Sequence, residues 1–225
     1  MKIAIIGTGN VGGALGATFA RAGHEVTYAA RDAQKTAKAA ASVGATTAAS
    51  PAEAAQKADI IVLAVPFTAA QAVAAEIAPA VRGKIVIDAT NPLSPDGSGL
   101  STAGGQSAAE QIAAWLPGAR VVKAFNTLFA TVQADPATHG VTIDALYATS
   151  DDGAKDEIAD LLTSIGFRPV WVGPLARARE LEAIAFLNIQ LQMQTQGDWR
   201  TSVSLVGAPA GATSAGAAAA TGGRS

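Results

Sequence analysis

Gly7-Thr8-Gly9-Asn10-Val11-Gly12 follows directly on the apolar run Ile3–Ile6 and opens a stretch of helix-forming residues. A G-x-G-x-x-G at a strand-to-helix junction constrains this chain more than any other feature, because each glycine has its own physical task. Gly7 permits the tight turn, Gly9 lets the backbone approach a pyrophosphate, and Gly12 lets the helix lie close on the sheet. The free N–H groups and the positive dipole end of that helix then make an anion site. A glycine-rich turn without a ligand is the competing reading. The second strand-like run at Val26–Ala29, at the right distance, favours a dinucleotide.

Along the chain, short runs rich in Ile and Val alternate with alanine-rich stretches. Ile3–Ile6, Val26–Ala29, Ile60–Val65 and Ile85–Ile87 are continuous rather than alternating, as strands buried on both faces should be. Between them Val11–Ala22, Ala33–Val43, Pro51–Lys57 and Ala69–Val81 read as helices. Further strands are expected at Arg120–Ala124, Leu146–Thr149 and Arg168–Val172, with a helix at Ala154–Ile165. This order predicts an α/β fold: a doubly wound, mostly parallel Rossmann sheet with a short C-terminal helical segment. The expected division is a dinucleotide-binding domain over 1–175, the helical segment over 176–206, and a disordered tail over 207–225, where 13 of 19 residues are Gly or Ala. Alanine supplies 54 of the 225 residues, which suits helices packed close on a sheet.

Two further segments bear on function. Pro92 to Gln106 holds three Ser, four Gly and two Pro just beyond a strand, at the edge where open α/β sheets bind ligands. The helix expected at Arg179–Met193 is apolar on two sides, with Leu181, Ile184, Leu187 and Leu191 on one and Phe186, Ile189 and Met193 on the other. Two apolar faces need two surfaces, which are its own sheet and a partner subunit if the chain is a homodimer, or two surfaces within one protomer. Asp198-Trp199-Arg200, beyond that helix, is a candidate cover for the cleft.

The end of the second strand chooses between cofactors. A carboxylate there would bond the ribose hydroxyls of NAD, whereas an Arg would accommodate the 2′-phosphate of NADP. The tip is Ala30, followed by Arg31, with Lys35 one helical turn later as a second cation. Asp32 is read as the N-cap of the next helix rather than as the NAD acid. NADP(H) is the expected cofactor.

Composition excludes other chemistries. With 16 basic and 18 acidic residues there is no basic surplus for nucleic acid. No cysteine is present and there are only His24 and His139, which removes thiolate catalysis and Cys- or His-rich metal sites. The longest apolar run, Ile60 to Phe67, is far short of the roughly 20 residues a membrane span needs. The N-terminal run is too short for a signal peptide, so a cytoplasmic protein is expected.

Ile5 to Gly12, Ala22-Gly23-His24-Glu25-Val26 and Ala30-Arg31-Asp32 resemble the NADP-dependent reductases of the deazaflavin coenzyme F420. Val65-Pro66-Phe67, Ala89-Thr90-Asn91-Pro92-Leu93, Ser107 to Glu110, Val121 to Thr127 and Gly173-Pro174-Leu175 agree in order and spacing. The similarity covers about residues 1 to 195. It implies hydride transfer between NADPH and a flavin-like ring, with the cofactors carrying the chemistry. It also implies that Thr8, Gly9, Asn10 and Val11 hold the pyrophosphate, and that Arg31 and Lys35 hold the 2′-phosphate. Val65 and Pro66 would line the cofactor cleft, with Asn91 also among the cofactor-binding residues; Asn126, Leu128 and Ala130 would face the nicotinamide or the second substrate. The chain departs from the family at Ala30, where Ser is common, and at Asn126, where His occurs. FMN, quinones and ferric chelates therefore stand as alternative acceptors beside coenzyme F420, and a sensor or partner module without turnover stands as an alternative function. Lys123 could be pictured as the lysine of a hydroxyacid dehydrogenase, but too few residues follow for that family's helical domain; it is read as structural.

Overall fold

The computed structural model describes residues 1–102 and 105–206, so the tail expected to be disordered at 207–225 lies outside the described residues. The strands are β1 (Lys2–Ile6), β2 (Glu25–Ala29), β3 (Thr46–Thr47), β4 (Ile60–Leu63), β5 (Ile85–Asp88), β6 (Arg120–Ala124), β7 (Asp144–Ala148) and β8 (Arg168–Trp171). They form one sheet in the order β3-β2-β1-β4-β5-β6-β7-β8. Only the β6–β7 pairing is antiparallel. From β1 the chain winds outward in one direction through β2 to β3 and then crosses back to β4 on the other side of β1. The β1/β4 gap is therefore the switch point where such sheets open a crevice.

The helices are α1 (Asn10–Arg21), α2 (Ala33–Val43), α3 (Pro51–Lys57), α4 (Phe67–Ile77), α5 (Ala108–Trp115), α6 (Ala130–Ala134), α7 (Asp152–Ser164) and α8 (Ala178–Thr195). Helices cover both faces of the sheet, which is why the central strands β1, β4 and β5 carry apolar residues on both faces. Ile3 and Ile5 pack on one side with Leu15, Phe19 and Ile158, while Ala4 and Ile6 pack on the other with Ala54, Ala74 and Ile77. Alanines at the second interface, among them Ala54, Ala55, Ala70 and Ala74, are fully buried and let α3 and α4 approach the strands closely.

Local chemistry sets the helix ends. Asp32 caps α2, accepting from Lys35 N at 3.0 Å, and Gly44 closes it in the left-handed conformation. Ser50 caps α3 with Pro51 at its first position, and Ser107 with Glu110 forms a reciprocal capping box on α5. The strand expected at Leu146–Thr149 begins earlier, at Asp144. Its first residue is a buried carboxylate gripped by both Arg168 Nε and Nη2, so the apolar pattern alone misses it.

Helix α8 differs from its expected burial. The stripe Leu181–Ile184–Leu187–Leu191 splits: Leu181 is buried and Ile184 packs beside it, but Leu187 and Leu191 are 62% and 49% exposed. The buried face is instead Leu181, Glu182, Ala185, Asn188 and Gln192. The two amides are buried because the chain returns over them and bonds to them, with Gln192 Nε2 donating to Thr201 Oγ1 at 3.0 Å.

Candidate functional site

Two clefts meet at the turn after β1, sharing Thr8 and Gly9. The first, of 570 Å³, is lined by Gly7, Thr8 and Gly9, by Ala30, Arg31 and Asp32 from the end of β2, and by Val65 and Pro66 from the end of β4. The second, of 990 Å³, runs along Asn10 and Val11 to Asn91, Asn126, Leu128 and Ala130, beyond the ends of β5 and β6.

The three glycines are required for different reasons. Gly7 has φ +116° and a Cβ there would stand 2.3 Å from Ala64 O, while one on Gly12 would stand 2.1 Å from Gly7 O. Both are demanded by the protein's own packing. Nothing lies within 4 Å of a Cβ on Gly9. Its bareness serves no internal contact, as expected where a pyrophosphate must come close. Helix α1 begins there with no side-chain cap and no acidic residue in its first turn, so its N–H groups and positive end face the clefts uncompensated. The hydroxyl of Tyr28 donates to Gly12 O at 3.2 Å and occupies the space that any side chain on Gly16 would need, which seats α1 on the sheet.

Arg31 lines the first cleft and makes no ion pair among the described residues. Lys35 behaves differently: its ammonium lies 3.8 Å from Asp32, and it is not among the residues lining that cleft. These features fit a dinucleotide bearing an extra phosphate on its adenosine ribose.

On the second side, Asn91 Nδ2 donates to Asn126 O at 2.9 Å, and Asn126 Nδ2 donates to Asn91 Oδ1 and Leu181 O, both at 3.1 Å. The two loop ends and α8 are thereby tied together. Phe125 holds φ +66°, which is costly for a bulky residue and marks a constrained site. Gln133 holds this turn, its Nε2 donating to Phe125 O at 3.0 Å and Leu128 O at 2.8 Å. Phe125, Gln133, Leu93, Met193 and Trp199 line this cleft without having been singled out as binding residues from sequence, apart from Trp199 as part of a possible cover. A left-handed phenylalanine and a glutamine clamp carry no sequence signature.

Lys123 has no access to either cleft. It is fully buried, and its ammonium donates to Asp88 Oδ2 at 2.8 Å and Thr90 O at 2.7 Å and lies 2.9 Å from Glu182 Oε1. Three protons are committed to three acceptors. Glu182 also accepts from Ala108 N at 2.9 Å; burial pushes its pKa up although Lys123 opposes the shift. The cluster fastens α8 to β5, β6 and the start of α5. His24 bonds Ser164 Oγ at 3.0 Å at the other end of the strands, and His139 is exposed on a loop outside both clefts. Trp115 stacks on Phe67 with centroids 6.0 Å apart.

Residues 2–92 match the family described as NADP oxidoreductase, coenzyme F420-dependent. Over 222 residues the chain is 36% identical to an F420-dependent NADP reductase of Methanothermobacter marburgensis, spanning 87% of this chain and 94% of that relative. It is 30% identical over 184 residues to the metalloreductase STEAP3 of Rattus norvegicus, spanning 81% of this chain but 36% of the other. A solved structure of a putative F420-dependent NADP-reductase from Arthrobacter sp. FB24 matches with a TM-score of 0.81 and 29% identity, over 88% of this chain and 96% of that one. The chain belongs to the family of coenzyme F420-dependent NADP oxidoreductases.

Proposed function

We propose that this chain transfers hydride between NADP(H) and the deazaflavin ring of coenzyme F420, the substrate pair for which its relatives are named. The single observation that carries the reading is the pair of clefts joined over Thr8 and Gly9, one holding Arg31 and the other uncharged. Gly7, Thr8, Gly9, Asn10 and Val11 hold the pyrophosphate, and Gly12 keeps the helix close enough for its N–H groups to reach. Arg31 takes the 2′-phosphate, with Lys35 adding charge from outside the cleft. Val65 and Pro66 wall the adenosine side, and Asn91, Asn126 and Ala130 border the nicotinamide side.

NADPH, when bound, supplies the hydride. The protein's part is to bind, align and dehydrate. Among the described residues no Asp, Glu, His, Lys or Arg lines the second cleft, and hydride exchange between aligned rings requires no side-chain proton transfer. The apolar walls exclude water that would compete for the ring faces.

Incubation with NADPH, followed by coenzyme F420, FMN, a quinone or a ferric chelate in turn, tests the reading through loss of NADPH absorbance. Turnover with coenzyme F420 is expected. Binding of NADPH with no oxidation by any acceptor would instead make the chain a sensor or partner module. The reading also includes a cytoplasmic homodimer, joined through the exposed Leu187 and Leu191 of α8. Among the described residues no helix is long and apolar enough to cross a membrane. Sedimentation at high concentration is expected to give a dimer, and a monomer would remove that part.

A further inference from the structure

Helix α8 is capped at its C-terminal end by Gln196, a left-handed residue (φ +50°), and the chain then reverses at Gly197. A Cβ on Gly197 would stand 2.1 Å from Gln192 Oε1, so the bare glycine leaves room for that amide to sit against the reversal. That same oxygen accepts from Trp199 N at 2.9 Å. The other end of the amide holds Thr201, whose hydroxyl in turn donates to Asn188 Oδ1 at 2.6 Å. From across the cleft, Thr131 Oγ1 donates to Trp199 O, and the Phe129 ring meets the indole edge-to-face with centroids 5.2 Å apart. Trp199 itself sits at φ +57°, a conformation a bulky residue keeps only where its surroundings over-determine it.

All this holds an indole that remains 40% exposed and lines the second cleft. A large apolar side chain whose backbone is pinned at both N and O and whose ring packs on Phe129, yet which is left open to solvent, is built to meet something flat. Ile189, Met193, Leu93 and Leu128 complete the wall, and no charged side chain lines the cleft among the described residues.

We propose that Trp199 is the platform for the acceptor's ring, and that the cleft it walls selects an acceptor that presents a planar fused ring over a compact ionic metal chelate. The proposal rests on the hydride-transfer reading above and deepens it. An uncharged wall cannot repay the desolvation of an ionic chelate, whereas a tricyclic ring gains contact with the indole and the thioether of Met193.

The test uses the full chain, with coenzyme F420 and FMN as probes bearing a planar fused ring and ferric citrate as the compact ionic probe without one. Three tryptophans are present, so the W199F protein serves as the fluorescence reference. Oxidised coenzyme F420 or FMN, added without NADPH, is expected to quench wild-type tryptophan emission and to quench W199F far less. In turnover, W199A is expected to raise the acceptor KM at least tenfold, W199F to restore most of it, and the NADPH Kd to stay within twofold in both. Equal quenching in wild type and W199F, or an acceptor KM unmoved in W199A, overturns the platform. Ferric citrate reduced with a higher kcat/KM than either planar acceptor overturns the selectivity. Quenching that depends on Trp199 without hydride transfer upholds the platform and defeats the functional reading, so the two can fail separately.

Discussion

Gly9→Ala separates a ligand's demand for space from the protein's own. Gly9 has φ −73° and ψ −169°, which alanine adopts freely, and its Cβ would find nothing within 4 Å. Two stability effects oppose each other: alanine is a poorer N-cap than glycine, and it also lowers the entropy of the unfolded chain. Each is worth about 0.5–1 kcal/mol, so the net change should stay below about 1 kcal/mol. If the pyrophosphate approaches this backbone, the new methyl forces it away and lengthens at least one charge-assisted N–H bond. Such a bond contributes about 1.5–3 kcal/mol, which corresponds to roughly a 10- to 150-fold weaker NADPH Kd. Calorimetric titration with NADPH, alongside a thermal melt, reads both quantities. A G9A protein that melts like wild type and binds NADPH equally well would refute the placement of the phosphates. Gly12→Ala is the contrast: with its Cβ 2.1 Å from Gly7 O, it should lose stability as well as binding.

Arg31→Ala should weaken NADPH about 10- to 100-fold while leaving NADH unchanged, since only the former carries the 2′-phosphate; parallel titrations check this. Lys123→Met leaves the Asp88 and Glu182 carboxylates buried without a counter-ion and should cost about 3–5 kcal/mol in denaturant unfolding, part of which a second change, Glu182→Gln, recovers. The Arg179 guanidinium, helped by the Ser107 cap, holds the Glu110 carboxyl down to about 2. Because the folded value lies below the unfolded one, this stabilisation is full above about pH 4.5 and disappears as pH falls towards 2. Glu110→Gln should therefore lower Tm by about 2–4 °C at pH 7, for a loss near 1 kcal/mol, and match wild type near pH 2.

The sheet was legible because its central strands are buried on both faces, so Ile60–Leu63 and Ile85–Ile87 stand out as unbroken apolar runs. Helices α2 and α3 begin and end where Asp32, Gly44, Ser50 and Pro51 say they should. What was not legible depends on distant partners. Thr46–Thr47 is a strand of two residues held by β2. Ala130–Ala134 is a helix too short to form alone, fixed by Gln133 and by Thr18 Oγ1 donating to Gln133 O at 2.8 Å. In the site, the spacing from the glycines pointed to Arg31, and the family resemblance pointed to Val65 and Pro66, which line the same cleft. Neither could identify Trp199, whose position is set by Gln192 and Thr131.

The most direct measurement is the fate of the hydride itself. NADPH deuterated at the transferring position of the nicotinamide ring is mixed with the enzyme and oxidised coenzyme F420, and the reduced acceptor is weighed by mass spectrometry. Direct transfer between rings held in one water-excluding groove predicts one deuterium carried into the acceptor, with none lost to solvent. Reduced acceptor without deuterium, or NADPH left unoxidised while bound, would contradict the account.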